Sequence, residues 1–470
     1  MSHVLTPWLA AMAFLVPFVA HASEQGAEPG ATEQSGAEAA PDTEQAAEPS
    51  AENDAARQET EQQLILDRIQ KERAAEQTSV AAIRDSAAFR QVRAIEPPAD
   101  TGKVLAFHPL PDGGLVIAAG VDERYGERSL AGSLATLLGF GHANQKKPPG
   151  NSLVWLDAAG EQRHAAPLPF ACKGVTVAPD GAVIAVGGDR VAVFDVAGEQ
   201  LAEATAPHIT LSDDDLARLR QDLVEQHREQ MAARKEQFES IAKVMASLEE
   251  VPEEERTPRQ KRELAQAKMM HRSYEAMLAR VDASAEAAVE KGLAKARAIH
   301  RVAASRDHLF LVANEPAGYG FGVWRCGRDF SAPEKIIDGL RGCCGQMDVQ
   351  VIGGELVVAE NGAHHVAVYG LDGEPLRTFG EASRTDVRKG FGGCCNPMNA
   401  CPGPDGSLLL SESNGLVKQF APDGTLVEIL GAANVPSGCK NSSIGLSADG
   451  GTLYYLDVQT GRVLVMEKRS

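Results

Sequence analysis

Eight cysteines carry most of the chemistry this sequence offers: Cys172, Cys326, Cys343, Cys344, Cys394, Cys395, Cys401 and Cys439. Their spacing is ordered. Counted back from the glycine of the next turn, Cys172 lies nine residues before Gly181, and Cys343 and Cys344 lie eleven and ten before Gly354. Cys394 and Cys395 lie twelve and eleven before Gly406, and Cys439 lies eleven before Gly450. Cys401 is displaced to five before Gly406, and Cys326 falls near a late turn of its own unit. Three chemistries suit such a set. Paired thiols in an exported chain oxidise to disulfides. Converging thiolates are soft ligands for a transition metal such as zinc or copper(I), or for an iron–sulfur cluster. A dithiol beside a cation, here Lys173, Arg341 or Lys440, supports redox exchange. Neighbouring cysteines bond each other only through a strained eight-membered ring, and no C-x-x-C spacing is present, so the residues leave these readings open. Cys172, Cys343, Cys344, Cys394, Cys395, Cys401 and Cys439 are therefore candidate metal ligands or disulfide partners. Lys173, Gln346, Asp348, Asn396, Asn399 and Asn441 stand beside them and are candidate ligand-binding side chains. Those same polar groups also suit the plainer task of satisfying backbone at strand starts. No G-x-S-x-G, H-E-x-x-H or phosphate-loop motif occurs, and no catalytic residue is assigned.

The elements that would gather these sulfurs are strands. From residue 91 onward, short apolar runs alternate with turns at Pro111-Asp112-Gly113, Pro179-Asp180-Gly181, Gly353-Gly354, Pro404-Asp405-Gly406 and Ala448-Asp449-Gly450. The last three are 52 and 44 residues apart, close to the length of one four-stranded propeller blade. Six units begin near residues 101, 171, 298, 343, 395 and 439. The final unit, Gly450 to Lys468, has room for only three strands, and the run from Phe89 to Ile95 is the expected fourth. The fold class is thus all-β: a propeller of about six blades in two stretches, 91–207 and 298–470. Equivalent positions of successive blades converge on a central axis, so cysteines distant in sequence would meet at one mouth of the channel. Aromatic content of 5% leaves Val, Leu, Ile and Ala to fill the core.

Between the second and third units, residues 208–297 change to a Glu-, Gln-, Arg- and Ala-rich texture with apolar residues at heptad-like spacing. Ser212 ahead of three aspartates reads as an N-cap, and Thr257-Pro258-Arg259-Gln260 as a capping box. Two long helices folded on each other, an inserted hairpin, would hide both apolar seams and offer a docking arm for a protein partner. Residues 61–90 read as an N-terminal helix. Residues 23–60 read as a disordered acidic linker: residues 23–61 hold eleven acidic side chains against Arg57 alone and have almost no large apolar groups. The apolar run Trp8–Ala20 followed by Ala20-His21-Ala22 marks residues 1–22 as a signal peptide, giving a periplasmic or secreted protein. Thirteen apolar residues fall short of the roughly 20 that span a bilayer, so no transmembrane segment is expected after cleavage. A net charge of −19 without a basic block disfavours nucleic acid.

Unit four, Glu360-Asn361-Gly362-Ala363-His364-His365-Val366 with Leu371-Asp372-Gly373-Glu374-Pro375-Leu376-Arg377-Thr378-Phe379-Gly380, resembles an NHL repeat. Unit five, Glu412-Ser413-Asn414-Gly415 through Gly424 to Gly431, resembles it less closely. The resemblance covers about residues 340–431 and implies six blades. It extends to exported bacterial NHL-like proteins with paired Gly-Cys-Cys motifs. Members range from scaffolds to metal-dependent lyases, so the resemblance does not settle function. The lyases hold metal with channel histidines, whereas cysteines occupy the comparable positions here. His364 and His365 match the structural histidine of the repeat. The leading expectation is a binding or scaffold protein with a Cys-lined channel mouth, and the alternative is a redox or metal-dependent enzyme at the same cluster.

Overall fold

The computed structural model describes residues 51–99, 101–121, 150–209, 212–278, 281–315, 320–343, 347–383, 385–393, 395–436 and 442–469. The expected signal peptide, the linker as far as residue 50, and Cys344, Cys394, Cys439, Gln346 and Asn441 lie outside these residues. The chain divides into two units, residues 1–63 and 64–470. Of the first, only the start of helix α1 (Ala51–Ser86) is described. That helix begins ten residues inside the stretch expected to be a linker. Ala, Glu, Gln and Arg are strong helix formers, and a helix satisfies its own backbone without needing a core.

Six four-stranded antiparallel sheets make up the second unit. Their first strands are Lys103–Pro109, Gly174–Val177, Ile299–Ala304, Asp348–Ile352, Asn399–Pro402 and Ile444–Leu446, close to the six expected starts. The sixth sheet takes its outer strand from the other end of the chain. Phe89–Ile95 pairs antiparallel with Arg462–Lys468, with Phe89 opposite Lys468 and Ile95 opposite Val463. Each sheet packs on the next through an apolar seam. Trp155 and Phe194 meet between sheets one and two, Ile184 and Leu311 between two and three, and Phe310 and Val358 between three and four. Val368 and Leu410 join four to five, Leu409 and Tyr455 join five to six, and Leu456 and Ile117 join six back to one. Val, Leu, Ile and Ala dominate this core, which lets sheets with both faces buried approach closely. The architecture is that of a β-propeller.

The turns differ in one detail from the two-residue hairpins that Asp-Gly suggests. Leu110 N donates to Gly114 O at 2.8 Å and Gly113 N to Leu110 O at 3.0 Å, and Ala178, Gly181 and Ala182 repeat the pattern. This is a type I turn closed by a glycine in the left-handed region (φ 85° at Gly113, 87° at Gly181), so the loop holds three residues. Asp112 and Asp180 each accept from a backbone N–H two residues on, which is why Asp precedes the glycine.

Between sheets two and three, helix is described over α2 (Asp213–Glu249), α3 (Pro258–Leu278) and α4 (Val281–Arg297), with residues 279 and 280 outside the described residues. Both caps form as expected. Ser212 and Asp215 exchange side-chain-to-backbone bonds at 3.1 and 3.2 Å, and Thr257 and Gln260 do so at 3.3 and 2.9 Å. At about 1.5 Å per residue α2 is roughly 55 Å long. It packs on both α3 and α4. Leu219 lies against Val289 and Leu293, and the Phe238 ring is 4.4 Å from that of His271. The arm is fixed to the sheets at its base, where His208 Nε2 meets Ala296 O at 3.0 Å and Asn314 Nδ2 donates to Lys295 O at 3.0 Å. No described helix is long and apolar enough to cross a membrane.

Candidate functional site

Because the first strand of each sheet is innermost, the six together enclose a cavity of about 330 Å³ to which every sheet contributes. Strand starts supply Asp348, Asn399 and Ser443, and strand ends supply Pro109, Pro179 and Pro402, so the lining is polar among the former and apolar among the latter. A run of polar contacts crosses five sheets. The buried Arg301 guanidinium donates to Lys173 O of sheet two and, at 3.1 Å, to His300 O. Its Nε lies 3.5 Å from Asp348 Oδ1 of sheet four. Asp348 Oδ2 accepts from Ala400 N of sheet five at 2.9 Å, and Asn399 Oδ1 accepts from Ile444 N of sheet six at 3.0 Å. Gln350 Nε2 is 3.3 Å from Asp348 Oδ1. Burial raises the Asp348 carboxyl to about 6, against the pull of Arg301 and the hydrogen bonds toward the ionised form. The cavity therefore offers a fixed guanidinium, a carboxyl that changes charge near neutral pH, and an amide.

The loops carrying the cysteines are pinned by one repeated device. At the end of the second strand of sheet four, Glu360 Oε1 accepts from Arg341 N at 2.8 Å and Asn361 Oδ1 accepts from Cys343 N at 2.7 Å. In sheet five, Glu412 Oε2 accepts from Gly392 N at 3.0 Å, and Asn396 bridges its own loop to the same corner, accepting from Ser413 N at 2.7 Å and donating to Gly392 O at 2.6 Å. Glu412 is buried and ion-paired with Lys418, whose Nζ also donates to Gly390 O at 2.6 Å. Glu76 of α1 reaches the same corner through Asn414 Nδ2 at 2.7 Å, while Val80 packs with Val387, Leu416 and Ile429. So held, the two loops bring Cys395 Sγ within 2.7 Å of Cys343 Sγ. Cys395 is buried and Cys343 is half-buried.

The other described cysteines sit elsewhere. Cys172 lies in the seam of sheets one and two, Cys326 in that of two and three, and Cys401 in that of five and six, where it also borders the cavity. Burial pushes the Cys172 thiol up to about 12, that of Cys326 to about 11, and that of Cys401 higher still, so all three pack as small protonated apolar groups. Among the described residues no group of three or more Cys, His, Asp or Glu is placed to hold a metal. A thiolate-bound transition metal or iron–sulfur cluster would need ligands from Cys344, Cys394 or Cys439. Of the six polar candidates, Asp348 and Asn399 line the cavity, Asn396 spends both ends of its amide on backbone, and Lys173 contributes its carbonyl to Arg301. His365 lies against Glu360 as a structural partner. Sequence reasoning passed over Arg301, although a lone charge inside the apolar strand Ile299–Ala304 was the available signal.

Neither a protein-family model nor a curated protein sequence matches the chain. Solved structures similar to it are of low identity. The β-propeller domain of Cps50 (Swd1) from Myceliophteria thermophila is 8% identical, covers 81% of this chain and 100% of its own, and has a TM-score of 0.40. Regucalcin from Agrobacterium tumefaciens, described as a calcium-binding protein, is 11% identical, covers 82% and 97%, and has a TM-score of 0.41. The WD40 repeats of RRP9 are 10% identical, cover 82% and 99%, and have a TM-score of 0.38.

Proposed function

We propose that this chain is an exported binding protein that takes a small ligand into the channel between the six sheets and meets a protein partner through its helical arm. The observation that carries the ligand reading is the cavity itself. Its volume suits a small molecule, and its lining joins an apolar wall to the buried pair Arg301–Asp348 and the amide of Gln350. A ligand with an apolar body and one head group that both donates and accepts hydrogen bonds fits that division. The arm supports the partner reading by its length and by α2, whose exposed face is rich in charged residues beyond its packed base. Export rests on the apolar run and small-residue site of residues 1–22.

Ligand-observed NMR with a set of small amphiphilic amides and carboxylates tests the channel. Compounds should bind the wild type and lose at least tenfold in affinity to both Asp348→Asn and Arg301→Gln, with the far-UV spectrum unchanged. Equal binding to all three proteins, or none to any, would remove the channel as the site. Of the alternative, a redox or metal-dependent enzyme, the redox form has one observation in its favour, the close approach of Cys343 and Cys395.

A further inference from the structure

We infer that Cys343 and Cys395 form a disulfide clasp between the fourth and fifth sheets.

Distance separates the chemistries available to two sulfurs. On one tetrahedral metal ion, with each thiolate about 2.3 Å from it, the sulfurs would stand about 3.8 Å apart. In a disulfide they are about 2.05 Å apart. The observed 2.7 Å leaves no room for an ion between them and lies closer to the bonded separation. The backbone beside both sulfurs is hydrogen-bonded to the neighbouring strand ends. Glu360 and Asn361 hold the backbone of Arg341 and Cys343, while Glu412 and Asn396 hold Gly392 and the corner at Ser413, so described residues on both sides of the contact are anchored. Such preorganisation favours this pair over bonds between adjacent cysteines, which require a strained ring.

Accessibility sets the order of events. Half-buried Cys343 is the sulfur that a small disulfide such as oxidised glutathione can reach. Its thiolate attacks one sulfur of the oxidant and expels the other half as a thiolate, leaving a mixed disulfide. The buried Cys395 sulfur then attacks Cys343 Sγ and expels the second thiolate. Two cysteine thiols lose two electrons and two protons, and one external disulfide becomes two thiols. The bond encloses 51 intervening residues and so restricts the unfolded chain substantially. It also joins the loops that lead into Asp348 and Asn399.

Peptide mapping of the full chain, alkylated without reductant after equilibration in oxidised glutathione, reads the linkage directly. The expected product is a cross-link between the peptides of sheets four and five that disappears in Cys343→Ser and in Cys395→Ser and persists in Cys344→Ser and Cys394→Ser. Reduction should lower the wild-type melting temperature by roughly 5–10 °C. The Cys343→Ser/Cys395→Ser double variant should melt no lower than either single one. Bonds confined to Cys343–Cys344 or Cys394–Cys395 would overturn the inference. So would a linkage that survives in Cys343→Ser, full alkylation of both sulfurs after oxidation, or a stoichiometric metal whose removal exposes both thiols. Mapping of the wild type decides the matter even if a variant fails to fold.

Discussion

Asp348 shows at the scale of one side chain how position changes chemistry. In the sequence it is an aspartate near a pair of cysteines. In the fold it is nearly inaccessible, with Arg301 on one side and Ala400 N–H on the other. Burial opposes the charged form more strongly than these partners favour it, and the carboxyl rises to about 6. The sign of the linkage follows. The native state holds this proton more tightly than the unfolded chain, whose aspartate titrates near 3.9. The associated stability is complete below about pH 4 and is lost as pH rises through 6. A carboxyl-carbon NMR titration should place the Asp348 midpoint close to 6, and Arg301→Gln should move it higher by removing the favourable charge. A midpoint near 4 would show that the carboxyl is solvated and that water reaches it in the channel.

At the scale of elements, α1 and the arm meet the sheets differently. Helix α1 commits Val80 and Glu76 to the corner of sheet five. Among the described residues the arm meets the sheets at its base, through His208, Ala296 and Asn314, and its helices pack on one another. A close fit secures that packing, since a Cβ on Gly292 would come within 2.5 Å of Leu223 Cδ2. Replacing residues 214–288 with a short Gly-Ser linker should remove about three turns of helix in ten residues excised, visible as a drop in the 222 nm signal, while leaving a single cooperative melt of the sheets. Loss of that cooperative transition would mean that the arm is part of the core rather than an insertion.

For the whole molecule, the decisive contact joins the two ends of the described chain. Phe89–Ile95 completes the sheet begun at Ile444, and Phe89 is buried beside Met466 and Leu430. Without it, the strand Arg462–Lys468 would be left as an open edge, a template for pairing with another chain. Phe89→Ala should cost about 3–5 kcal/mol in chemical denaturation, as for other buried phenylalanines. Removing residues 1–96 should yield a protein that associates during size-exclusion chromatography. A monomeric truncation of unchanged stability would contradict closure by the first strand.

Six blades, the borrowed strand and the helix caps were legible in the amino-acid order because each depends on neighbours within a few residues: alternating apolar runs, glycine at turns, Ser212 and Thr257 ahead of helical stretches. The same local logic missed the helical start at Ala51, where composition argued for disorder but propensity favoured helix, and it missed Arg301, whose guanidinium meets Asp348 and Lys173 O of the neighbouring sheets only in the folded chain. Cysteine spacing indicated that sulfur atoms gather, but a count of residues does not measure how far a loop leans. Only the packed sheets, with Glu360 and Glu412 anchoring their loops, brought Cys343 to Cys395 while sending Cys172, Cys326 and Cys401 into separate apolar seams. Periodicity along the chain is a one-dimensional property and specifies elements. Burial, and with it the protonation of a carboxyl or the meeting of two thiols, arises from surfaces far apart in sequence that come together only when the sheets pack.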